Sequence, residues 1–179
     1  SVGLSRRHAS GELKAEKGLC ITYPLARAID ELVKDGYVVN PLINSRTGWF
    51  LVPGNLVDTV PKNIKTNRTI AMEPEINSFC QRAIGDIISD KLRRVGIDLN
   101  DQTLNQRACN RAYKDGYATI DLKNASNSVL LFPAMSCLPS DWFELLSVTR
   151  SPFGTFDIRE NVLEYEAEWF EYQMLSSMG

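Results

Sequence analysis

Asp121 is the residue whose setting points most directly to chemistry. It ends the short apolar run Tyr117-Ala118-Thr119-Ile120, which reads as a buried strand, and open sheets present side chains to a crevice at the C-terminal ends of their strands. An ionised carboxylate there could hold a hard cation such as Mg²⁺ through its oxygens. The same residue could instead cap a helix begun by Lys123-Asn124-Ala125, a position that Asp favours. The second candidate is cationic. Lys62, Lys65 and Arg68 fall within seven residues that hold no acid, and Arg as a fork with Lys as a point charge would suit phosphate oxygens. A solvated turn is the other reading of that stretch. Neither a Gly-x-x-x-x-Gly-Lys loop nor a Gly-x-Gly-x-x-Gly turn accompanies it, so the common nucleotide-binding loops are absent.

Other chemistries are excluded by what the chain lacks. His8 is the only histidine, so a histidine dyad or a multi-histidine metal site cannot form. Cys20, Cys80, Cys109 and Cys137 stand far apart with no Cys-x-x-Cys pair, which argues against a zinc site and a disulfide framework and for buried reduced thiols. Asn67-Arg68-Thr69 and Asn124-Ala125-Ser126 match the glycosylation sequon, but without an export signal they read as chance matches. At 179 residues, 44% hydrophobic and 23% charged, the chain has the make-up of one globular unit or a piece of a larger protein, not of a disordered tail or a fibre. It does not begin with Met and stops at Ser176-Ser177-Met178-Gly179, so a piece cut at both ends is expected. No apolar run is long enough to span a bilayer. The net charge of −2 hides a partition: residues 157–179 carry six acids and one base, and the other 156 residues carry 19 bases and 16 acids. A mildly basic body is compatible with nucleic acid, although charge alone is a weak pointer.

The elements that must position these residues follow from periodicity. Pro24 opens a helix with Leu25, Ala28, Ile29, Leu32 and Val33 on one face and Gly36 at its end. A longer helix follows Pro74, with the stripe Ile76, Phe79, Cys80, Ala83, Ile84, Ile87, Ile88, Leu92 and Val95, stopped by Gly96. Asn100 or Asp101 caps a third, running to about Lys114 with Gly116 beyond it. A fourth begins near Ser140 and carries Trp142, Phe143, Leu145 and Leu146. Strands are expected at residues 49–52, ending at Pro53-Gly54, at 117–120, and at 163–169, where Leu163, Tyr165, Ala167 and Trp169 alternate with three glutamates. Phe153 to Ile158 is expected to pair with the last as a hairpin. Helices and strands mix without a regular βαβ rhythm, which favours an α+β fold.

Five blocks together resemble one family: VPKNIKTNRTIAMEP (60–74), GIDLNDQTLNQR (96–107), ATIDLKNASNS (118–128), LPSDWFELLSVTRSPFG (138–154) and the closing SSMG (176–179). In this order and spacing they look like the RNA-dependent RNA polymerase, or replicase β-subunit, of the small single-stranded RNA bacteriophages, the Qβ-type leviviruses in particular. The similarity is dense from about residue 56 onward. It implies a right-hand polymerase fragment with part of the fingers and the start of the palm: an N-terminal fingers-side segment over 1–55, fingers with the basic motif over 56–116, and the start of the palm over 117–179. It also implies that Lys62, Lys65 and Arg68 grip the phosphates of a ribonucleoside triphosphate. Asp121 would be the catalytic metal ligand, joined by the Leu122 carbonyl, for Mg²⁺ or Mn²⁺. Asn127 would meet the ribose, and Ser177 and Gly179 would belong to a loop beside template and ribose.

Two departures from the family pattern matter. Asn127 stands where the family usually has a second Asp, so it can hydrogen-bond a hydroxyl only without charge. The Tyr-Gly-Asp-Asp hairpin that supplies the remaining metal carboxylates is not among these residues, so the isolated chain is expected not to polymerise. The implied activity is template-directed addition of ribonucleotides to an RNA 3′ end, in the cytoplasm of the bacterial host, with RNA template and product and host translation elongation factors and a ribosomal protein as partners. The alternative is a polymerase-like module that binds nucleotide or RNA without chemistry.

Overall fold

A computed structural model describes residues 19–37, 49–118, 120, 125, 128–156 and 168–176. Within them the chain is mixed helix and sheet, in accord with the α+β expectation. Strand β1 (Leu19–Thr22) leads directly into helix α1 (Tyr23–Lys34), with Pro24 in its first turn, where a missing N–H costs nothing. Gly36 follows in the left-handed conformation at φ 75°. Strand β2 (Trp49–Val52) returns parallel to β1, Leu19 opposite Trp49 and Thr22 opposite Val52.

The chain then passes through Pro53 into β3 (Gly54–Pro61) and folds back as β4 (Asn67–Met72), antiparallel, with Leu56 opposite Met72 and Val60 opposite Arg68. Helix α2 (Glu75–Arg94) follows within three residues. Its apolar stripe is narrower than the periodicity suggests. Of the expected stripe, Ile76, Cys80, Ile84, Ile88 and Leu92 are buried or half-buried, a single i+4 row, whereas Phe79, Ala83, Ile87 and Val95 face out. A helix that packs along one ridge buries one such row. Helix α3 (Thr103–Asp115) starts slightly later than expected; Asp101 Oδ1 still accepts a bond from the Thr103 N–H at 2.9 Å. Gly116 ends it at φ 70°, and none of its residues is buried.

Helices α4 (Leu131–Cys137) and α5 (Ser140–Thr149) precede β5 (Phe153–Thr155), which pairs parallel to β3 and antiparallel to β6 (Phe170–Glu171). The second sheet thus has the order β4-β3-β5-β6. The core lies where α1, α2 and β1 meet: Ile21, Leu25, Ala26 and Ile76, with Ile29, Trp49, Cys80 and Val148 packed against them.

Three expectations need correction. Tyr117, Ala118 and Ile120 are not in a strand, and Ile120 is 82% exposed. The Tyr117 N–H closes the end of α3 on the Ala112 carbonyl at 2.9 Å and so cannot join a ladder. Among the described residues β5 pairs antiparallel with 170–171, and Glu168 and Trp169 are outside any strand; residues 157–167, which hold most of the expected strand and hairpin, lie outside the described residues. The register is set by Gly154 opposite Phe170, where a Cβ would come within 2.4 Å of the Tyr172 hydroxyl and 2.8 Å of the Phe170 ring. The cysteines are free, as expected, but only Cys20 is buried and Cys109 and Cys137 are exposed.

Gly54 is the tightest point of the second sheet, because a Cβ there would sit 1.8 Å from the Phe153 carbonyl oxygen. That atom belongs to the paired backbone of β5 and cannot move without opening the ladder. Gly54→Ala should therefore cost about 2 kcal/mol or more in chemical denaturation, as overpacking does. Gly85→Ala, on α2 with nothing within 4 Å of the added carbon, should instead stabilise by about 0.5–1 kcal/mol. Equal effects of the two substitutions would contradict this packing.

Candidate functional site

The basic stretch forms the end of the β3–β4 hairpin. β-branched residues favour the pleated strands on either side, and Asn63 makes the turn between them. Its Oδ1 accepts from the Lys65 N–H, the Thr66 N–H and the Thr66 hydroxyl, each at 2.9 Å, while the Lys62 N–H donates to the Thr66 carbonyl at 2.9 Å. This is the side-chain-to-backbone bonding for which Asn is favoured in turns. Lys62 and Lys65 flank Ile64 at the tip, and Arg68 stands on β4 opposite Val60. All three cations are exposed, and among the described residues none forms an ion pair. The solvated-turn expectation thus holds: Asn63 closes a turn whose three cations stand in solvent with no ion pair among the described residues.

Asp121, Leu122, Asn127, Ser177 and Gly179 lie outside the described residues. Their described flanks do meet. Residues 129–131 run antiparallel to 173–175: the Leu131 N–H donates to the Gln173 carbonyl at 3.0 Å, the Leu175 N–H donates to the Val129 carbonyl at 2.8 Å, and Leu130 bridges Met174. Among the described residues no group of three His, Cys, Asp or Glu side chains is arranged to hold a metal ion.

The root of the hairpin carries a buried polar network. Glu73, 8% exposed, accepts from Asn55 Nδ2 at 2.8 Å and from the Ser151 hydroxyl at 2.6 Å; the Tyr172 hydroxyl donates to Asn55 Oδ1 at 2.8 Å. Tyr172 is 7% exposed and stands edge-on to Phe170, which stacks on Phe156. Burial, and then the negative charge of Glu73 beside it, push the Tyr172 phenol up to about 12. Arg150 borders the same region. Burial pulls its guanidinium below the ordinary value, and the charges of Glu171 and Glu73 oppose that pull. A pocket of about 230 Å³ opens beside it, lined by Glu73, Gln81, Ile84, Leu146, Thr149 and Arg150 among others. Sequence reasoning passed over this network, because Glu73 beside Pro74 reads as an ordinary acid at a helix start. The nearest sequence signal is the density of polar residues at positions 149–151.

Comparison with known proteins gives this architecture a family. Residues 1–179 match the family described as RNA replicase, beta-chain. The chain is 44% identical over 128 residues to the RNA-directed RNA polymerase subunit beta of Escherichia virus Qbeta, which covers 71% of this chain and 20% of that protein. It is 46% identical over 130 residues to the RNA-directed RNA polymerase beta chain of Enterobacteria phage fr, and 40% identical over 130 residues to that of Escherichia phage MS2; each match covers 72% of this chain and 22% of the relative. The chain belongs to the RNA replicase beta-chain family, and it spans about a fifth of the length of the curated relatives it matches.

The raised Tyr172 value has a defined sign. The folded state holds this proton more tightly than the unfolded chain, whose phenol titrates near pH 10. The stability contributed by neutral Tyr172 is therefore whole below about pH 10 and is lost as pH rises from there toward about 12. Tyr172→Phe should lower the melting temperature at neutral pH and flatten its decline between about pH 10 and 12. Parallel declines in the two proteins would show that Tyr172 is not held in this way.

Proposed function

We propose that this chain is the nucleotide-gripping part of an RNA-directed RNA polymerase of an RNA phage, comprising part of the fingers and the start of the palm of a right-hand fold. The complete enzyme adds ribonucleotides to an RNA 3′ end under the direction of an RNA template. The observation that carries the reading is the hairpin tip, where Lys62, Lys65 and Arg68 stand in solvent with no ionic partner among the described residues, in a chain of the replicase beta family.

Phosphoryl transfer asks little covalent chemistry of a protein; it asks for positioned phosphates and neutralised charge. Arg68 offers a planar fork to two phosphate oxygens, and Lys62 and Lys65 add mobile point charges. Asp121 and the Leu122 carbonyl are the residues that would hold Mg²⁺, or Mn²⁺, which when bound supplies charge neutralisation at the reacting oxygens. Asn127 is assigned to the ribose, and Ser177 and Gly179 to the loop beside template and ribose. The assigned partners are RNA, ribonucleoside triphosphates, and host translation elongation factors with a ribosomal protein, in the cytoplasm of the bacterial host.

The test uses the full-length polymerase. Arg68→Ala removes a charged hydrogen-bonding group from the triphosphate, and nucleotide kcat/KM should fall by roughly one to two decades. Asp121→Asn keeps a side chain that caps a helix about as well, so melting should stay near normal while single-nucleotide incorporation falls by roughly three decades or more. Activity within about tenfold of the unsubstituted enzyme would return Asp121 to a capping role. The 179-residue chain alone should give primer extension at background; template-dependent incorporation by it would overturn the account of the absent Tyr-Gly-Asp-Asp hairpin.

A further inference from the structure

The candidate residues lie in three stretches, around Arg68, Asp121 and Ser177, each more than fifty residues from the next. Four residues, 172–175, touch both the root of the β3–β4 hairpin and residues 129–131. The Tyr172 hydroxyl bonds Asn55 at the start of β3, and Asn55 in turn bonds Glu73, the residue after β4. Both ends of the hairpin are thereby held at one point. Gln173 and Leu175 exchange backbone bonds with Leu131 and Val129, which directly follow the 118–128 block. Arg150 Nη1 donates to the Met174 carbonyl at 3.4 Å. Ser177 comes two residues after Leu175.

We infer that residues 172–175 form a joint between the root of the cationic hairpin and residues 129–131, and that Tyr172 is a positioning residue for the bound nucleotide. The inference rests on the reading of Lys62, Lys65 and Arg68 as phosphate ligands. The hairpin acts as a lever. Arg68 lies opposite Val60, five residues along β3 from Asn55, or roughly 17 Å at about 3.4 Å per residue. A rotation of about 5° at the root would carry Arg68 by about 1.5 Å over that length. Misplacement by about 1 Å can cost on the order of a hundredfold in a reaction that needs aligned groups. The Tyr172–Asn55–Glu73 bonds constrain that rotation, because each requires a particular angle between donor and acceptor. The ring of Tyr172 also packs edge-on to Phe170 at 5.2 Å, and a phenylalanine would keep that packing.

The full-length polymerase, with Tyr172→Phe, Arg68→Ala and the double substitution, provides the test, read as kcat and KM for one nucleotide, template affinity and melting temperature. Tyr172→Phe should lower nucleotide kcat/KM about tenfold and leave template affinity within about twofold, below the cost of a 1 Å error because the ring still packs. In the Arg68→Ala background the same change should cost less than about threefold, since a lever with no fork at its end positions little. Ser151→Ala, which loosens Glu73 without touching Tyr172, should show the same pattern with smaller size and serves if Tyr172→Phe folds poorly. An equal loss in both backgrounds, or no loss in the first, overturns the joint. If Arg68→Ala by itself leaves nucleotide kinetics unchanged, the phosphate reading fails first and the joint falls with it.

Discussion

Glu73 and Asn77 are buried polar side chains on either side of Pro74 and Ile76, and the geometry of the described chain turns on the bonds they make. Asn77 is completely buried. Its Oδ1 accepts from the Thr22 N–H at 2.9 Å, and its Nδ2 donates to the Thr22 hydroxyl at 2.7 Å and to the Thr149 carbonyl at 2.9 Å. Glu73 gathers Asn55 and Ser151. Within five residues the chain thus ends a hairpin, starts its longest helix and fastens both to β1, β3 and the 149–151 turn. A buried polar group left without a partner costs about 1–3 kcal/mol, whereas a made bond contributes only about 0.5–1.5 net. These contacts therefore act chiefly by penalising every arrangement in which they fail. An apolar contact at the same places would tolerate a range of angles; a carboxamide with three defined partners tolerates few.

That constraint matters because the apolar core among the described residues is small. Ile21, Leu25, Ala26 and Ile76 make its buried centre, and much of the outer face of α2 and all of α3 lie outside it. Packing on one i+4 row leaves a helix free to roll about its axis. Asn77 and Gln81, both bonded to the Thr149 carbonyl, fix that roll, and with it the direction in which the preceding hairpin leaves the helix.

The helices were legible in the sequence because periodicity and punctuation agree there. Pro24 and Gly36 bracket α1, Pro74 and Gly96 bracket α2, and Gly116 ends α3. The short helix α4 was not, since seven residues with Pro133 among them give periodicity too little length. Strands β3 and β4 were hidden by attention to charge, although Val57, Thr59 and Val60 and then Thr69 and Ile70 carry ordinary strand chemistry. The apolar run 117–120 misled for a different reason: composition can suggest a buried strand but cannot show that a neighbour exists to pair with it. Of the candidate site, the three cations stand out by residue type and family resemblance. What holds them does not. The Tyr172–Asn55 bond joins residues 117 apart, and neither residue is distinctive in its local sequence.

In the proposed reading, the two ends of the β3–β4 hairpin divide the physical work of gripping a phosphate. Cations gathered at an open tip stay hydrated until an anion arrives, so the free chain carries no large desolvation penalty for holding them together. Their mutual repulsion is softened by water and salt at the surface, and Arg68, on β4 at an edge of the sheet among the described residues, also discourages pairing with another strand. An exposed tip, however, cannot fix its own position. The dry root can, because at low dielectric its hydrogen bonds are strong and their geometry narrow. Separating the two tasks along one hairpin lets charge remain in water while orientation is set in the interior. On the same reading, the residues that would contact phosphate and the residues that would aim them are different ones.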